Sequence, residues 1–138
     1  MFGLVYFIAC NSELLDSSVT EINFGDIDFA EEMPEGGYER RTVEVENISK
    51  KTLEISIPNF DFEHLCLLRF TENPVEIGEL SPNSTYKLEI SVCDYIVENG
   101  ERDSLVEGSV QIESGENRLE IPWSFTPRLN IEVDDSGQ

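Results

Sequence analysis

Few side chains in this chain of 138 residues could carry out covalent chemistry: one histidine, His64, and three cysteines, Cys10, Cys66 and Cys93. Nucleophilic catalysis needs a base held against the serine or cysteine that attacks. A lone histidine without a supporting motif is more often structural than catalytic. The sequence contains no phosphate-binding loop, no dinucleotide-binding glycine motif and no Cys-x-x-Cys pair. It therefore predicts a protein that is not an enzyme and that uses no metal and no cofactor.

Carboxylates dominate the remaining polar groups, with 29 aspartates and glutamates against nine lysines and arginines, a formal net charge of −20. Nucleic acids and anionic membrane surfaces attract the opposite charge, so neither is expected as a partner. The acids fit the outward positions of strands, where they favour solubility. A basic partner or Ca²⁺ is the alternative, and the acidic stretch 26–35 could hold a cation. It lacks the spacing of a calcium-binding loop, however, and a solvated loop is predicted.

Alternation of apolar and polar residues predicts the elements that position these groups. The clearest runs are residues 42–48, 53–57 and 86–92, and such alternation marks strands with one buried face. We predict that the first two form a central antiparallel hairpin around the polar turn 47–51. Further strands are expected at residues 19–27, 65–70, 75–80, 106–112 and 119–125. With no helical periodicity of useful length, the pattern predicts an all-β antiparallel sandwich of seven to eight strands.

The alternation also assigns side chains to faces of the expected strands. Cys66 is expected on one face with Leu68 and Phe70, and Cys93 on the outward face or at the end of its strand. Pro122 falls on an outward position and marks an edge strand or edge segment, because proline cannot donate to a ladder. The inward residues of the last clear strand are Leu119, Ile121, Trp123 and Phe125.

Several short phrases occur in a fixed order along the chain. They are Ile22-x-Phe24-Gly25-Asp26-Ile27, Val43-x-Val45-x-Asn47, Leu53-x-Ile55, Leu80-Ser81-Pro82-Asn83-Ser84, Gly108-Ser109-Val110-Gln111-Ile112 and Ile121-Pro122. In this order they resemble the immunoglobulin-like domains of the ASH (ASPM–SPD-2–Hydin), DUF1573 and major-sperm-protein-like (MSP-like) group. The resemblance implies an immunoglobulin-like sandwich with a non-enzymatic role in protein–protein contact or scaffolding, and another protein as its partner.

An apolar run at residues 2–9 is far shorter than the roughly 20 residues that span a bilayer. It ends in Ala9, Cys10 and Asn11, followed by polar residues. This arrangement resembles the end of a bacterial lipoprotein signal peptide, which implies a lipid on Cys10 and a location in the cell envelope or periplasm. The lipid would be the protein's only membrane contact. In that oxidising space a disulfide between Cys66 and Cys93 is an expectation, although the alternation assigns them to opposite faces.

Two other interpretations remain open from the sequence. In the first, residues 2–9 form an ordinary strand, and the protein is a cytoplasmic or ciliary-type ASH or MSP-like adaptor with free thiols. In the second, the acidic stretch 26–35 and aromatics such as Tyr38 and Tyr95 serve a carbohydrate- or calcium-binding sandwich. The predicted organisation is an apolar segment and polar tether at 1–18, the sandwich at 19–133, and an acidic tail at 134–138.

Overall fold

The structure is a computed structural model that describes residues 14–29, 34–93 and 104–128. Within these ranges every regular element is a strand, and no helix is long and apolar enough to cross a membrane. The expectations for residues 2–9, Cys10, Tyr95 and residues 129–138 lie outside the described residues. The strands are β1 (Leu15–Ser17), β2 (Ile22–Asp28), β3 (Tyr38–Asn47), β4 (Leu53–Ile57), β5 (Leu65–Leu67), β6 (Val75–Leu80), β7 (Thr85–Val92), β8 (Val106–Ser114) and β9 (Asn117–Arg128).

These strands form two sheets that enclose one hydrophobic core. The four-stranded sheet has the order β1-β3-β7-β5, and the five-stranded sheet has the order β2-β9-β8-β4-β6. Neighbouring strands are antiparallel except β2 and β9, which are parallel. The prediction of an all-β, immunoglobulin-like sandwich is confirmed, with nine strands in the described residues rather than seven or eight.

The additional strand is β1, which lies within the residues 1–18 expected to be an apolar segment and a tether. Leu15 is 1% exposed and joins the core. β1 pairs antiparallel with β3, with Leu15 opposite Asn47 and Ser17 opposite Val45. A three-residue strand with one buried side chain is too short to show alternation. The sandwich therefore includes residues before the predicted boundary at 19.

The predicted hairpin of residues 42–48 and 53–57 is wrong, because β3 and β4 belong to different sheets. The chain crosses between the sheets after Asn47, whose side chain is fully buried. Its Nδ2 donates to the carbonyl oxygens of Lys51 and Leu80, each at 2.8 Å, and its Oδ1 accepts from the Ser49 N–H at 2.9 Å. Alternation shows which face of a strand is buried and does not show which strand lies beside it.

The inward faces of β7 and β9 agree with the sequence. The buried residues include Leu88, Ile90, Val92, Leu119, Ile121, Trp123 and Phe125. The rings of Trp123 and Phe125 stack with their centroids 6.0 Å apart. Trp123 lies opposite Gly108 on β8, where a side chain would overlap the indole ring.

Pro122 lies on an edge segment of β9, as predicted. β2 begins its pairing with β9 opposite Trp123, so residues 119–122 have no strand beside them on that side within the described chain. A groove of about 370 Å³ lies there between β9 and residues 16–20, which comprise the end of β1 and the segment that follows it. Proline suits this position because an open edge requires no N–H donor.

Candidate functional site

A concave surface that carries both charged and apolar side chains lies on the outer face of the four-stranded sheet. This pocket of about 530 Å³ lies between the loop before β3, at Gly36 and Gly37, and the turn after β5, at residues 68–71. Glu89 and Ser91 on the outward face of β7 also line it. We call this surface the outer-face pocket.

The loop before β3 is held against β7 by a close backbone approach. Ser91 is 3% exposed, and its hydroxyl donates to the carbonyl oxygen of Gly36 at 2.5 Å. Gly37 has a φ of +100°, and an added Cβ would lie 2.8 Å from the Cβ of Ser91. Position 37 therefore requires glycine both for its backbone conformation and for space. This side of the outer-face pocket is preformed.

The turn after β5 forms the opposite side. The Leu68 N–H donates to the carbonyl oxygen of Glu89 at 3.1 Å, and the Phe70 N–H donates to that of Leu67 at 3.1 Å. Between them Arg69 has a backbone φ of +80°, a conformation that residues other than glycine rarely adopt. The turn leaves the Leu68 side chain 49% exposed. An apolar side chain and a guanidinium are thus presented next to each other.

Positive charge distinguishes the outer-face pocket in a chain whose net charge is −20. Arg40 lines it and forms a salt bridge with Glu89 at 3.6 Å. Arg69 also lines it and is the one arginine among the described residues without a salt bridge; the paired ones are Arg40, Arg41, Arg118 and Arg128. A guanidinium presents a planar set of N–H donors that matches a carboxylate or phosphate.

Cys66 lines the outer-face pocket together with Leu68 and Phe70, which agrees with their predicted place on one face, and this face points outward. β5 pairs with β7 so that the buried residues Leu65 and Leu67 lie opposite core residues of β7. This register puts Cys66 opposite Ser91, two residues before Cys93 and on the same face. The Cα atoms of the two cysteines are 5.4 Å apart, within the range of disulfide-bonded pairs. The expectation that Cys66 and Cys93 lie on opposite faces is therefore wrong, because the face of β5 that carries Cys66 points outward.

His64 lies in the loop before β5 rather than in the outer-face pocket. Its Nδ1 is 2.7 Å from Asp61 Oδ2, and Asp61 Oδ1 accepts from the backbone N–H groups of Glu63 and His64 at 3.0 and 3.2 Å. The imidazole ring lies 5.9 Å from the ring of Trp123. One ligand atom from each of Asp61, Glu63 and His64 could approach a metal, within 4.8 Å of one another. Since both Asp61 oxygens already hold the loop together, these contacts support a structural role.

Two features of the carbohydrate- or calcium-binding interpretation take other roles in the structure. Tyr38 is buried, and its ring packs edge-on against Phe29 at 5.1 Å, so it offers no exposed sugar-binding face. Asp26 forms a salt bridge with Arg128 at 3.3 Å. The middle of the stretch 26–35 lies outside the described residues.

No known protein family matches the sequence, and no curated protein matches it significantly. Among solved structures, a protein of unknown function from Porphyromonas gingivalis W83 matches with a TM-score of 0.50 and 15% identity, over 83% of this chain and 48% of that one. The Vibrio cholerae VesB protease matches with a TM-score of 0.50 and 8% identity, over 91% of this chain and 35% of that one. The chain thus spans about half or less of these two structures, and at such identities the likeness concerns the fold alone. The ASH/PapD-like domain 7 of human CEP192 matches with a TM-score of 0.46 and 12% identity, over 86% of each chain.

Proposed function

We propose that the protein is a non-enzymatic interaction or scaffolding domain that contacts another protein through the outer-face pocket, and that a lipid on Cys10 anchors it in a bacterial cell envelope. The observation that carries the proposal is the exposed pair of Leu68 and Arg69, which faces the preformed side of the pocket at Gly36 and Gly37. Protein interfaces are enriched in arginine and depleted of other charged residues at their centre. A rigid sandwich that displays its binding residues on loops is a common arrangement for recognition.

A crosslinking experiment tests the interaction in the organism that encodes the chain. A photoreactive phenylalanine analogue replaces Leu68 in the full chain, and the same analogue replaces Glu107, an exposed residue on the five-stranded sheet, as the control. We expect a discrete adduct from position 68 and none from position 107. The adduct should disappear when Arg69 is also replaced by glutamine. The absence of any adduct at position 68, or equal adducts at both positions, would contradict the proposal.

The lipid anchor is tested by the mass of the mature N-terminus. When the full chain is expressed in a bacterium, we expect cleavage after Ala9 and an acyl-modified Cys10 as the first residue. The variant Cys10→Ala should lose the acyl mass and the membrane association together. An intact Met1 without acyl mass would instead support the cytoplasmic adaptor, in which residues 2–9 belong to the folded domain.

A disulfide between Cys66 and Cys93 accompanies the proposed envelope location. Their separation of 27 residues predicts that the bond stabilises the fold by about 3 kcal/mol, mainly by restricting the unfolded chain. We expect Cys66→Ser to lower the free energy of unfolding by that amount in urea denaturation without reductant. Cys10→Ser is the control and should leave it unchanged. Two free thiols at positions 66 and 93 in protein isolated from the envelope would contradict this prediction.

A further inference from the structure

We infer that the outer-face pocket binds a carboxylate presented next to a bulky apolar side chain, as in a peptide segment with aspartate or glutamate beside phenylalanine or leucine. The inference rests on the proposed function and names the chemistry of the partner's binding segment. It depends on three features of the pocket: a free guanidinium, an adjoining apolar surface and a strained backbone.

The free guanidinium defines the polar part of the ligand. Carboxylates outnumber basic side chains by about three to one in this chain, yet Arg69 has no salt bridge among the described residues. Arg40, on the other side of the pocket, holds Glu89 through a partly exposed salt bridge. Exposed pairs of this kind contribute little to stability, so Arg40 can exchange Glu89 for an incoming carboxylate at small cost.

The apolar surface next to Arg69 defines the rest of the ligand. Leu68 is half exposed and Phe70 is partly buried, and both line the outer-face pocket with the guanidiniums. The pocket volume of about 530 Å³ falls within the roughly 300–1,000 Å³ typical of ligand sites. A bare inorganic anion would leave the apolar part exposed to water. An apolar side chain beside the carboxylate covers it.

The backbone of Arg69 indicates that its side chain is retained for binding. At a φ of +80° glycine would avoid the steric cost that arginine incurs. Strained residues of this kind persist where the surrounding structure enforces them, and they cluster at functional sites. Here the enforcement comes from the hydrogen bond between Leu68 and Glu89 and from the short ladder of β5 with β7.

The net charge of the chain selects a carboxylate over a phosphate. Arg69 and Arg40 would accept either group, because both anions match the guanidinium fork. A phosphate monoester carries up to two charges, and the −20 of the whole chain opposes it more strongly than a single carboxylate. A short peptide with one carboxylate retains the local attraction with the least long-range repulsion.

A peptide titration monitored by NMR tests the inference on the ¹⁵N-labelled full chain. The probe is acetyl-Gly-Asp-Phe-Gly-amide, and we expect its addition to shift the amide signals of Gly36, Gly37, Ser91 and residues 68–71. Replacing Asp by Asn, or Phe by Ala, in the peptide should weaken binding about tenfold in each case. A further probe is acetyl-Gly-Asn-Phe with a free C-terminal carboxylate. Comparing its affinity with that of the Asp-Phe peptide shows whether the pocket prefers the carboxylate of a chain end or that of an acidic side chain.

Variants of the protein make the test specific. Arg69→Gly should weaken binding of the Asp-Phe peptide about tenfold. The melting temperature of the protein should stay the same or rise, because glycine adopts the positive φ at position 69 without strain. Arg118→Gln removes a salt-bridged arginine from the five-stranded sheet and should leave binding unchanged. The inference is overturned if no signals shift, if the Asp and Asn peptides bind equally, or if Arg118→Gln weakens binding as much as Arg69→Gly. If it fails while the adduct at position 68 persists, the proposed function stands; if the adduct is also absent, both fail.

Discussion

Replacing Trp123 by alanine is expected to lower the free energy of unfolding by about 4 kcal/mol, because it opens a large cavity in the core. The indole is 2% exposed and packs against the rings of Phe125 and His64. Urea denaturation followed by circular dichroism measures the effect, with an unchanged slope as evidence that the transition remains two-state. A loss below about 1 kcal/mol would contradict the packing described for Trp123.

A double-mutant cycle with Gly108 provides the control for Trp123. The indole nitrogen has no hydrogen-bond partner in the described structure, so Trp123→Phe removes no hydrogen bond. It should therefore lower the free energy of unfolding by less than Trp123→Ala does. Gly108→Ala should be destabilising by about 2 kcal/mol, since its Cβ would lie 2.6 Å from the indole Cζ2. The same substitution in the Trp123→Phe background should cost much less, because a phenylalanine ring does not extend to that position. Equal costs in the two backgrounds would show that the two side chains are not in contact.

Asn47→Ala is expected to have a comparable effect, again about 4 kcal/mol. The change leaves the carbonyl oxygen of Leu80 without its side-chain donor, and that of Lys51 keeps only the Ser49 hydroxyl. An unsatisfied buried polar group costs about 1–3 kcal/mol, and the crossover between the sheets also loses the two hydrogen bonds that Ser49 donates to Asn47 Oδ1. The free energy of unfolding in urea is the measurement.

Asn23→Ala is the matched control for Asn47. The Asn23 side chain is exposed, and its Oδ1 accepts one local hydrogen bond, from the Gly25 N–H. Removing it should cost less than about 1 kcal/mol. If Asn47→Ala is no more destabilising than Asn23→Ala, the side chain of Asn47 does not hold the crossover.

Asn47 also shows where inference from the sequence ends. Alternation located β7 and the inward face of β9 because each strand exposes one face to the core and the other to water. It could not reveal that the turn after Asn47 changes sheets, since strands in either sheet alternate in the same way. The information was carried by a single buried amide and its three partners, which lie in loops and at a strand end.

The outer-face pocket was beyond prediction for a different reason. Its two sides, at residues 36–37 and 68–71, are about 30 residues apart and meet only through the order β3-β7-β5. The sequence near Cys66 is apolar on both parities, so the phase of the three-residue strand β5 could not be chosen from alternation. The register with β7 fixes that phase and brings Cys66, Ser91 and Cys93 to one face.

The parallel pairing of β2 with β9 controls when the chain can complete its fold. Ile22 lies beside Trp123, about 100 residues later, so the five-stranded sheet lacks an interior strand until nearly all of the described chain has been synthesised. Contacts between such distant residues slow folding, because a long loop must close before they form. The nascent chain therefore exposes the core-facing side of β2 until the residues of β9 have been synthesised.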